Sequence, residues 1–465
     1  MKLTFHGAAR TVTGSKHLIQ VNGVKLLLDC GMFQGKRAEA YDENLNFKFD
    51  AAQIDLVVLS HAHIDHSGSL PGLYKAGFRG DIICTPATRD LCAAMLSDSG
   101  FIQEKDVEFI NKRGRKHGDP PVEPIYTQKD ALEVMAYFTT QSYYRARTIA
   151  PGVTLTYVDA GHMLGSASVI LDIEDRAAGR DLRLVFSGDI GRRGIPIIRD
   201  PDTIDSADIL IMESTYGDRF HEDVDDSLRR LETIVVETYR RGGSIVMPAF
   251  AVGRTQQLVY MLHQLWRSGD IPPMPIFVDS PLAVNITSVF ELHPECYDAE
   301  TREFIGREYD PFGFQHLTYV RSVEDSKRLN FRREPCIIVS ASGMAEFGRV
   351  LHHLAHRIDN PANTVLITGW QAPNTLGRRL VDGEERVRIL GDEYRVQAQV
   401  EVINGFSGHA DKEELLEWAS AIQKKPQRVF LVHGEEAAAA ALQAALRSEY
   451  GWTVDVPEKG QMFQL

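Results

Sequence analysis

Short runs of β-branched and aliphatic residues alternate with helical patterns along most of the 465-residue chain. The runs with the length and composition of buried strands are residues 24–28, 56–59, 82–84, 182–186, 209–212, 244–247, 276–278, 336–340, 364–368 and 429–432. Helical patterns cover residues 227–241, 254–267, 412–422 and 435–449. This alternation predicts an α/β fold. The length predicts two large domains or about three smaller ones.

The composition excludes several functional classes. With 25% charged and 43% hydrophobic residues, the chain has the balance of a globular protein rather than a disordered one. A net charge of −13 argues against a protein that coats nucleic acid without regard to sequence. No apolar run approaches the ~18 residues of a membrane span, and residues 1–14 lack the apolar core of a secretory signal. The five scattered cysteines form no CxxC pair, which predicts a reducing, cytoplasmic location and opposes a cysteine zinc site.

Polar side chains that can carry out chemistry follow several predicted strands. They are Asp29, His61, Asp189, Glu213 and His433. In α/β sheets, ligands bind outside the carboxyl ends of the strands. A single strand-end aspartate usually caps a turn or a helix. Together with a histidine cluster, these residues predict one functional site at a shared sheet edge.

The segment HAHIDH at residues 61–66 is the strongest candidate for a metal site. Histidine nitrogen and aspartate oxygen suit a borderline divalent ion such as zinc. His61 and His63 lie two residues apart, and so they point to the same side of an extended loop. Asp65 and His66 turn away at the start of a helical pattern. The segment therefore predicts two pairs of ligands rather than one tetrahedral cage.

Further ligands are needed to complete two metal sites. His162 follows a strand-like segment at residues 154–158, and Asp189 follows Ser187-Gly188. Taken alone, each could equally be a packed histidine or a turn residue. A carboxylate has two oxygens and can bridge two ions. Asp29 is predicted to lie behind the ligands and to orient one of the histidines.

The same residues resemble the metallo-β-lactamase superfamily, through HAHIDH with Asp29, His162 and Asp189 in order. The resemblance covers the whole chain and extends to the β-CASP branch. Its motifs are ESTYG at residues 213–217, PAFAVGR at 248–254, VDSP at 278–281, ASGM at 341–344, GFSGHAD at 405–411 and VHGE at 432–435. GAAR at residues 7–10 and VTGS at 12–15 resemble the compact bacterial ribonucleases of this branch. Those enzymes are relatives of the endonuclease subunit of the eukaryotic mRNA 3′-end cleavage machinery.

The resemblance implies a fold and a set of ligands. The fold is an αββα metallo-β-lactamase sandwich at residues 1–215, interrupted by a Rossmann-like β-CASP cap at 216–395 and completed by an RNA-specificity segment at 396–465. Two zinc ions are expected, with manganese as the alternative. The first would be held by His61, His63, His162 and Asp189, and the second by Asp65, His66, Asp189 and His433. Asp189 would bridge the two.

The expected reaction is hydrolysis of a phosphodiester by a hydroxide shared between two metal ions. Asp65 is placed to orient this hydroxide and to take its proton. His409, beside flexible Gly408, is the candidate general acid, and Glu213 would hold its other ring nitrogen and raise its pKa. A helix-capping role is the alternative for Glu213. Ser340, Ser342 and Ser407 are candidate contacts to downstream phosphates, although serines at strand ends more often cap helices.

The substrate is expected to be single-stranded RNA, in an RNA processing or degradation role. Internal cleavage is expected, and the sequence leaves open whether nucleotides are also removed from the 5′ end. The basic run Lys112, Arg113, Arg115 and Lys116 is a candidate RNA contact, with a solvated loop as the alternative. No stacking ladder of aromatic residues is evident. DNA-processing relatives typically lack the histidine at position 433, which favours RNA.

Three other functions are alternatives. A β-CASP DNA nuclease keeps the chemistry and changes the substrate. A lactonase or glyoxalase-like hydrolase lacks so long an insertion, and a non-catalytic scaffold would have lost ligands that are all present here. Gln256-Gln257 stands where the branch predicts a glutamate, which would change the packing of the cap or the RNA channel. The sequence predicts no membrane partner and leaves a homodimer open.

Overall fold

A computed structural model describes residues 1–35, 37–114, 120–307, 309–372 and 374–465. The chain forms two compact units. The first contains Met1–Arg193, Asp200–Phe220 and His409–Leu465, and the second contains Gly194–Arg199 and His221–Gly408. Within the described residues, no helix combines the length and the apolar character needed to cross a lipid bilayer.

The first unit is built on two seven-stranded sheets. One sheet has the spatial order Met462–Gln464, Lys2–Phe5, His17–Val21, Val24–Leu28, Leu56–Val58, Asp81–Cys84 and Phe138–Thr140. The other has the order Val454–Asp455, Arg428–Val432, Ile209–Glu213, Arg180–Phe186, Ala167–Asp175, Val153–Asp159 and Arg147–Ala150. Its central strands Arg180–Phe186, Ile209–Glu213 and Arg428–Val432 run parallel, and so their carboxyl ends lie at one edge.

The inner faces of the two sheets form one core. Leu3, Phe5 and Ile19 of the first sheet pack in a single cluster with Val169 and Phe430 of the second. Side chains alternate across a strand, and so successive residues face opposite sides of the sheet. This pairing of sheets produces the predicted sandwich.

The outer face of the second sheet is covered by helices. Ile209 and Ile211 belong to the core between the sheets, whereas Leu210 and Met212 pack with Trp418 of a helix. A strand covered on both faces reads as a continuous apolar run, which is why residues 209–212 were recognisable in the sequence. Leu442 and Leu446 of the helix Glu436–Tyr450 complete this layer.

Helices of the first unit follow the strands of both sheets. Their bounds are Arg37–Leu45, Ile64–Ser67, Leu70–Lys75, Pro86–Gly114, Gln128–Val134, Lys412–Ser420 and Glu436–Tyr450, with 3-10 turns at Ala51–Gln53 and Met135–Tyr137. The helix Lys412–Ser420 begins with a reciprocal capping box, in which Asp411 accepts from the backbone of Glu414 and the Glu414 side chain accepts from the backbone of Asp411.

The second unit contains a parallel six-stranded sheet, in agreement with the predicted Rossmann-like cap. Its spatial order is Leu317–Tyr319, Ile276–Val278, Ile337–Ser340, Ile245–Pro248, Thr364–Ile367 and Gln399–Val402. A hairpin pairs Arg386–Ile389 with Asp392–Arg395. The helices are Val224–Arg240, Arg254–Ser268, Pro281–Leu292, Ala299–Gly306, Val323–Asn330, Arg349–Ala355 and Leu376–Val381, with a 3-10 turn at Pro294–Cys296.

The two units divide the chain at positions that differ from the predicted 215/216 and 395/396. The second unit starts at His221 and ends at Gly408. Its end is later than predicted because Gln399–Val402 pairs in parallel with Thr364–Ile367 and so belongs to the six-stranded sheet. Gly194–Arg199 also joins this unit, where Ile198 forms a bridge with Tyr297.

Candidate metal centre and acid–base pair

Loops at one end of the first unit bring the predicted ligands together. His61 and His63 follow the strand Leu56–Val58, and the short helix Ile64–Ser67 carries Asp65 and His66. The other ligands come from the second sheet: His162 after Val153–Asp159, Asp189 after Arg180–Phe186, and His433 after Arg428–Val432. The sequence predicted a single sheet edge. The structure instead uses the adjacent ends of two facing sheets.

The first cluster consists of His61, His63, His162 and Asp189, whose ligand atoms lie within 4.8 Å of one another. The Nδ1 atom of His63 lies 3.2 Å from Nε2 of His61 and 3.1 Å from Nε2 of His162. The Oδ2 atom of Asp189 lies 3.5 Å from Nε2 of His61 and 3.6 Å from Nε2 of His162. Three imidazole nitrogens and one carboxylate oxygen that converge on one point are the donor set of a zinc site.

The second cluster consists of Asp65, His66 and His433, and it reaches the first through Asp189. The other oxygen of Asp189, Oδ1, lies 3.3 Å from Nε2 of His66 and 3.5 Å from Nδ1 of His433. The Oδ2 atom of Asp65 lies 3.5 Å from Nε2 of His433. Asp189 therefore presents one oxygen to each cluster, which is the arrangement expected of a bridging ligand.

Buried polar atoms without hydrogen bonds support a cation in the second cluster. Nε2 of His66, Oδ1 of Asp189 and Nε2 of His433 are all buried and have no hydrogen-bond partner. Such atoms are rare in folded proteins because each loses its contact with water and gains nothing in return. A cation at the centre of the cluster would satisfy all three at once, and so the residues present fit a divalent metal ion.

Asp29 holds His66 from the side opposite the cluster. Its Oδ2 lies 2.7 Å from Nδ1 of His66, and it also accepts hydrogen bonds from the backbone and hydroxyl of Ser60, at 2.8 and 3.0 Å. With Nδ1–H donating to Asp29, the lone pair of Nε2 faces the cluster. Asp29 adopts a left-handed backbone conformation, with φ 57°, which is uncommon for a residue with a side chain.

Hydrogen bonds to the backbone and to the ring also hold His433 in position. Its backbone N–H donates to Ala8 O at 2.7 Å, and its φ is 48°. The hydroxyl of Thr215 donates to the carbonyl of His433 at 3.0 Å, and so its oxygen is free to accept from Nδ1 of the same histidine at 3.1 Å. That assignment leaves the lone pair on Nε2, which faces Asp65. Sequence reasoning missed the supporting roles of Ser60 and Thr215, although each is a hydroxyl residue beside a strand-end candidate.

The electrostatics of the clusters favour metal ligands. Burial lowers the pKa of His61 well below its usual range, and the nearby charge of His66 adds to this effect, so that His61 is neutral. Burial would raise the pKa of Asp189, but His433, His66 and His61 together hold it well below its usual range. Burial also opposes the charged form of His66, yet Asp189 and Asp29 raise its pKa well above the ordinary value. A metal ion would take the place of the proton on His66.

Next to the clusters, His409 and Glu213 form a candidate acid–base pair. Nδ1 of His409 lies 3.3 Å from Oε1 of Glu213 and 3.9 Å from Oδ2 of Asp189. Glu213 is fully buried and accepts from the backbone N–H of Ile190 at 2.6 Å and of Thr215 at 3.3 Å. Burial lowers the pKa of His409, but the charge and hydrogen bond of Glu213 outweigh it and raise the pKa to about 9.

A close backbone contact places the His409 loop against the ligand loops. A Cβ atom on Gly191 would lie 1.7 Å from the carbonyl oxygen of Gly161, and so only glycine fits there. Gly191 also pairs with His409 in an antiparallel bridge. The backbone segments next to His162, Asp189 and His409 are therefore in direct contact, and His409 is held at a fixed position beside the clusters.

The predicted phosphate contacts lie in the second unit. The hydroxyl of Ser340 donates to Asp279 O at 2.8 Å, and the Ser342 oxygen accepts from the backbone N–H of Glu346 at 3.1 Å. The backbone N–H of Ser407 donates to Asn404 O at 3.3 Å. A phosphate-binding role stays a prediction for all three serines.

The predicted basic run lies only partly within the described residues. Lys112 and Arg113 belong to the last turn of the helix Pro86–Gly114, whereas Arg115 and Lys116 fall outside the described residues.

Gln256, which replaces an expected glutamate, is buried in the second unit. Its Nε2 lies 3.2 Å from Ala251 O, 3.3 Å from Ala283 O and 3.0 Å from the hydroxyl oxygen of Thr287, and these oxygens share its two N–H groups. A glutamate has no N–H to offer these three acceptors, and so the amide fits this position better than a carboxylate. The departure from the β-CASP pattern is thus accommodated by local packing.

Comparison with known proteins identifies three domain families along the chain. The metallo-beta-lactamase superfamily matches residues 13–134, and the Beta-Casp domain matches residues 255–380. A domain described as a Zn-dependent metallo-hydrolase RNA specificity domain matches residues 393–457. The first match includes the HAHIDH segment, and the third includes His409 and His433.

Several characterised proteins are similar over nearly the whole chain. Ribonuclease TTHA0252 of Thermus thermophilus is 36% identical over 436 residues, which cover 94% of this chain and 94% of that protein. The transcription termination factor FttA of Methanosarcina mazei is 31% identical over 96% of this chain and 69% of its own length. An RNase J-like protein of Methanocaldococcus jannaschii is 31% identical, covering 93% and 92%.

A crystal structure of a protein of unknown function from Enterococcus faecalis covers 100% of this chain with a TM-score of 0.56 and 12% identity. At that identity the likeness concerns the fold alone.

Proposed function

The chain belongs to the β-CASP branch of the metallo-β-lactamase superfamily, and we propose that it is a zinc-dependent ribonuclease that hydrolyses phosphodiester bonds of single-stranded RNA. The observation that carries the proposal is the pair of ligand clusters that share Asp189, with the buried His409–Glu213 pair beside them. The RNA specificity domain and the ribonuclease among the relatives support RNA as the substrate.

Two sets of residues would hold the metal ions. His61, His63, His162 and Asp189 would hold one, and Asp65, His66, Asp189 and His433 the other. When bound, two divalent ions supply a water of lowered pKa and neutralise the charge that builds up on the phosphate. Zinc suits the nitrogen-rich first set, and manganese is the alternative ion for the more oxygen-rich second.

Asp65 is proposed to orient the nucleophile. Burial opposes its charged form, yet His433, His66 and His63 hold its pKa well below the usual range, and so it is ionised at neutral pH. An ionised carboxylate accepts a hydrogen bond from the attacking water and fixes its direction. Its low pKa makes orientation the main contribution of Asp65 and proton removal a minor one.

His409 is proposed to protonate the leaving ribose oxygen. Its side chain is 21% exposed, and so one edge of the ring reaches the solvent side of the site. Nδ1 is engaged by Glu213, and we propose Nε2–H as the group that donates the proton. A raised pKa keeps the ring charged at neutral pH, which a general acid requires.

A β-CASP DNA nuclease is the second candidate, and His433 opposes it. The DNA-processing relatives typically lack this histidine, whereas here it lies within reach of both Asp65 and Asp189. A scaffold without catalysis is opposed by the complete ligand set. We propose internal cleavage as the main mode of action and removal of nucleotides from the 5′ end as the alternative.

The test is a time course with metal-loaded protein, 5′-labelled single-stranded RNA and DNA of matched sequence. RNA should be cut faster than DNA, chelation should stop the reaction, and zinc or manganese should restore it. Early products of intermediate length would identify internal cleavage, and mononucleotides would identify exonuclease action. Equal rates on RNA and DNA would reject RNA specificity, and activity that survives chelation would reject a metal-dependent enzyme.

A further inference from the structure

A pocket lined by lysine and phenylalanine side chains lies in the first unit, outside the metal clusters. Its walls include Lys16, Lys48 and Lys459 together with Phe33, Phe47 and Phe49. Neither the proposed mechanism nor the sequence motifs assign a role to this pocket. Aromatic rings beside cationic groups are the combination that binds the base and the phosphate of a nucleotide.

The walls of the pocket are held by backbone contacts. A Cβ atom on Gly7 would lie 1.8 Å from the carbonyl oxygen of Gly14, and so the two ends of the loop between them touch. Gly14 in turn packs on Phe33, where an added Cβ would lie 3.3 Å from the phenylalanine Cα. The Asn44 side chain accepts from the backbone N–H of Phe33 and donates to its carbonyl, both at 2.8 Å. The backbone that carries this ring is thus fixed before any ligand arrives.

Three lysines and one carboxylate, that of Glu43, line the pocket, and so its formal charge is positive within a chain of net charge −13. Lys459 pairs with Glu43, and its ammonium lies 5.6 Å from the centre of the Phe33 ring. Lys16 is buried and donates to Gly31 O, whereas Lys48 is exposed. Burial is the main influence that lowers the pKa of neighbouring His6 to about 4, and the charges of Lys16 and Lys459 add to it.

The same loops connect the pocket to the metal clusters. Ala8, inside the loop that forms one wall, accepts the backbone N–H of His433 at 2.7 Å. Ser15, next to Lys16, donates its backbone N–H to Asp65 O at 2.8 Å, and Met32, next to Phe33, donates to Ile64 O at 2.8 Å. Backbone hydrogen bonds therefore join the loops of the pocket to the loops that carry the ligand residues.

We propose that this pocket binds one nucleotide of the RNA strand away from the bond that is cut, with its base against the phenylalanine rings and its phosphate at Lys48 and Lys459. The inference rests on the proposed ribonuclease function and adds a second point of contact to it. A purely apolar partner would gain nothing from the charges of Lys48 and Lys459, and an anionic peptide would gain nothing specific from the three rings. A free mononucleotide has the same chemistry, and the test separates it from a strand.

The test compares Lys48→Ala, Lys48→Arg and Phe47→Leu with the parent protein. Lys425→Ala is the matched control, because Lys425 is exposed and precedes the strand Arg428–Val432, at the end opposite His433. RNA binding is measured by fluorescence anisotropy with metal-loaded protein in a His409→Ala background, where cleavage is slow. Oligonucleotides of increasing length are used at several salt concentrations. Hydrolysis by the parent and each variant is measured with long RNA and with bis(p-nitrophenyl) phosphate.

Lys48→Ala removes one phosphate contact and should weaken binding of a long RNA about fivefold at 0.1 M salt. It should also make the slope of log affinity against log salt concentration shallower by about 0.7. Lys48→Arg should restore both values, and Lys425→Ala should change neither. Phe47→Leu should weaken binding roughly 5-fold or more, through loss of stacking, without a change in salt slope. The KM for long RNA should rise while kcat stays within about twofold, and hydrolysis of the small diester should be unchanged.

Binding and salt slopes that are equal in all variants would overturn the proposal. So would an equal loss with the small diester, because the variants would then act on the metal site itself. Competition by uridine monophosphate, with no effect of the variants on RNA, would assign the pocket to a free mononucleotide instead. If the protein binds RNA in a Lys48-dependent way but cuts none, the ribonuclease proposal fails and the binding site stands.

Discussion

Replacing Glu213 by glutamine tests the acid–base pair with little change in shape. Burial disfavours a charged His409, and Glu213 is the largest influence that overcomes it. Glutamine keeps an oxygen for the backbone N–H of Ile190 but removes the negative charge 3.3 Å from Nδ1 of His409. The expected result is a lower pKa for His409, and so a general acid that loses its proton at a lower pH.

The size of the effect follows from the pKa of His409. Its rise from 6.5 to about 9 corresponds to roughly 3 kcal/mol, at 1.36 kcal/mol for each pH unit. Asp189 and Asp65 also raise this pKa, but bound cations would neutralise both in the parent and in the variant. The charge of Glu213 then keeps the parent's pKa above neutrality, whereas the variant's pKa should fall to about 6.5 or below. At pH 7.5 a group with a pKa of about 6.5 is protonated in roughly 9% of molecules, against most molecules of the parent. Cleavage should therefore fall about tenfold at pH 7.5 and recover to within about twofold at pH 6.

The assay is the pH dependence of RNA cleavage by metal-loaded protein between pH 5.5 and 9.5. In the variant the alkaline limb should move to lower pH, because a general acid at His409 would be active only in its protonated form. Glu414→Gln is the matched control, since it removes a carboxylate that pairs with Arg192 and should leave that limb in place. In a His409→Ala background, Glu213→Gln should have almost no further effect. A deficit that is the same at every pH would refute the reasoning and leave Glu213 as a residue that only holds the loops at Ile190 and Thr215.

Three substitutions test the ligand assignment, each by metal analysis and RNA turnover on the same preparation. Asp189→Ala should lose both ions, because one carboxylate faces both clusters, and retention of two ions with normal turnover would contradict the bridge. His433→Ala should keep about one ion and lose most RNA cleavage; two ions with only a lower melting temperature would make His433 a packing residue. Asp29→Asn should weaken the second ion roughly 10- to 100-fold, because Nδ1 of His66 loses its carboxylate partner, and unchanged affinity would remove Asp29 from the site.

Much of the fold was accessible from the sequence because the central strands are buried on both faces. Residues 24–28 and 276–278 were predicted with the bounds that the structure has. Strands without a continuous apolar run were missed, both at a sheet edge, as with the partly buried Gln399–Val402, and in the interior of a sheet, as with Lys2–Phe5. The long helix Pro86–Gly114 was also missed, because its apolar residues do not form one stripe along the helix.

The candidate site was accessible where chemistry is concentrated in a short segment, as in HAHIDH. The positions of the residues that support the ligands could not be predicted, because they depend on backbone conformations that sequence periodicity does not encode. Asp29 and His433 both adopt positive φ, at 57° and 48°, and this turns each side chain towards the clusters. Residues held in such conformations occur where the surrounding structure fixes them, often at functional sites.

The charge of the site implies that RNA binding, and not only cleavage, depends on the metal ions. Asp29, Asp65, Asp189 and Glu213 place four carboxylates in and around the clusters, and the whole chain carries −13. Without cations this end of the first unit repels a phosphate. Two divalent ions contribute +4 against the −4 of the carboxylates, which leaves the positive charge of His409 in excess.

Chelation should therefore weaken the affinity for RNA at least tenfold, measured by anisotropy in the His409→Ala background at fixed salt. Re-addition of zinc should restore it, whereas magnesium, which binds nitrogen ligands poorly, should restore it less. Equal RNA affinity in the chelated and loaded forms would show that the strand is held by the lysine pocket or other surfaces alone, with no contribution from the clusters.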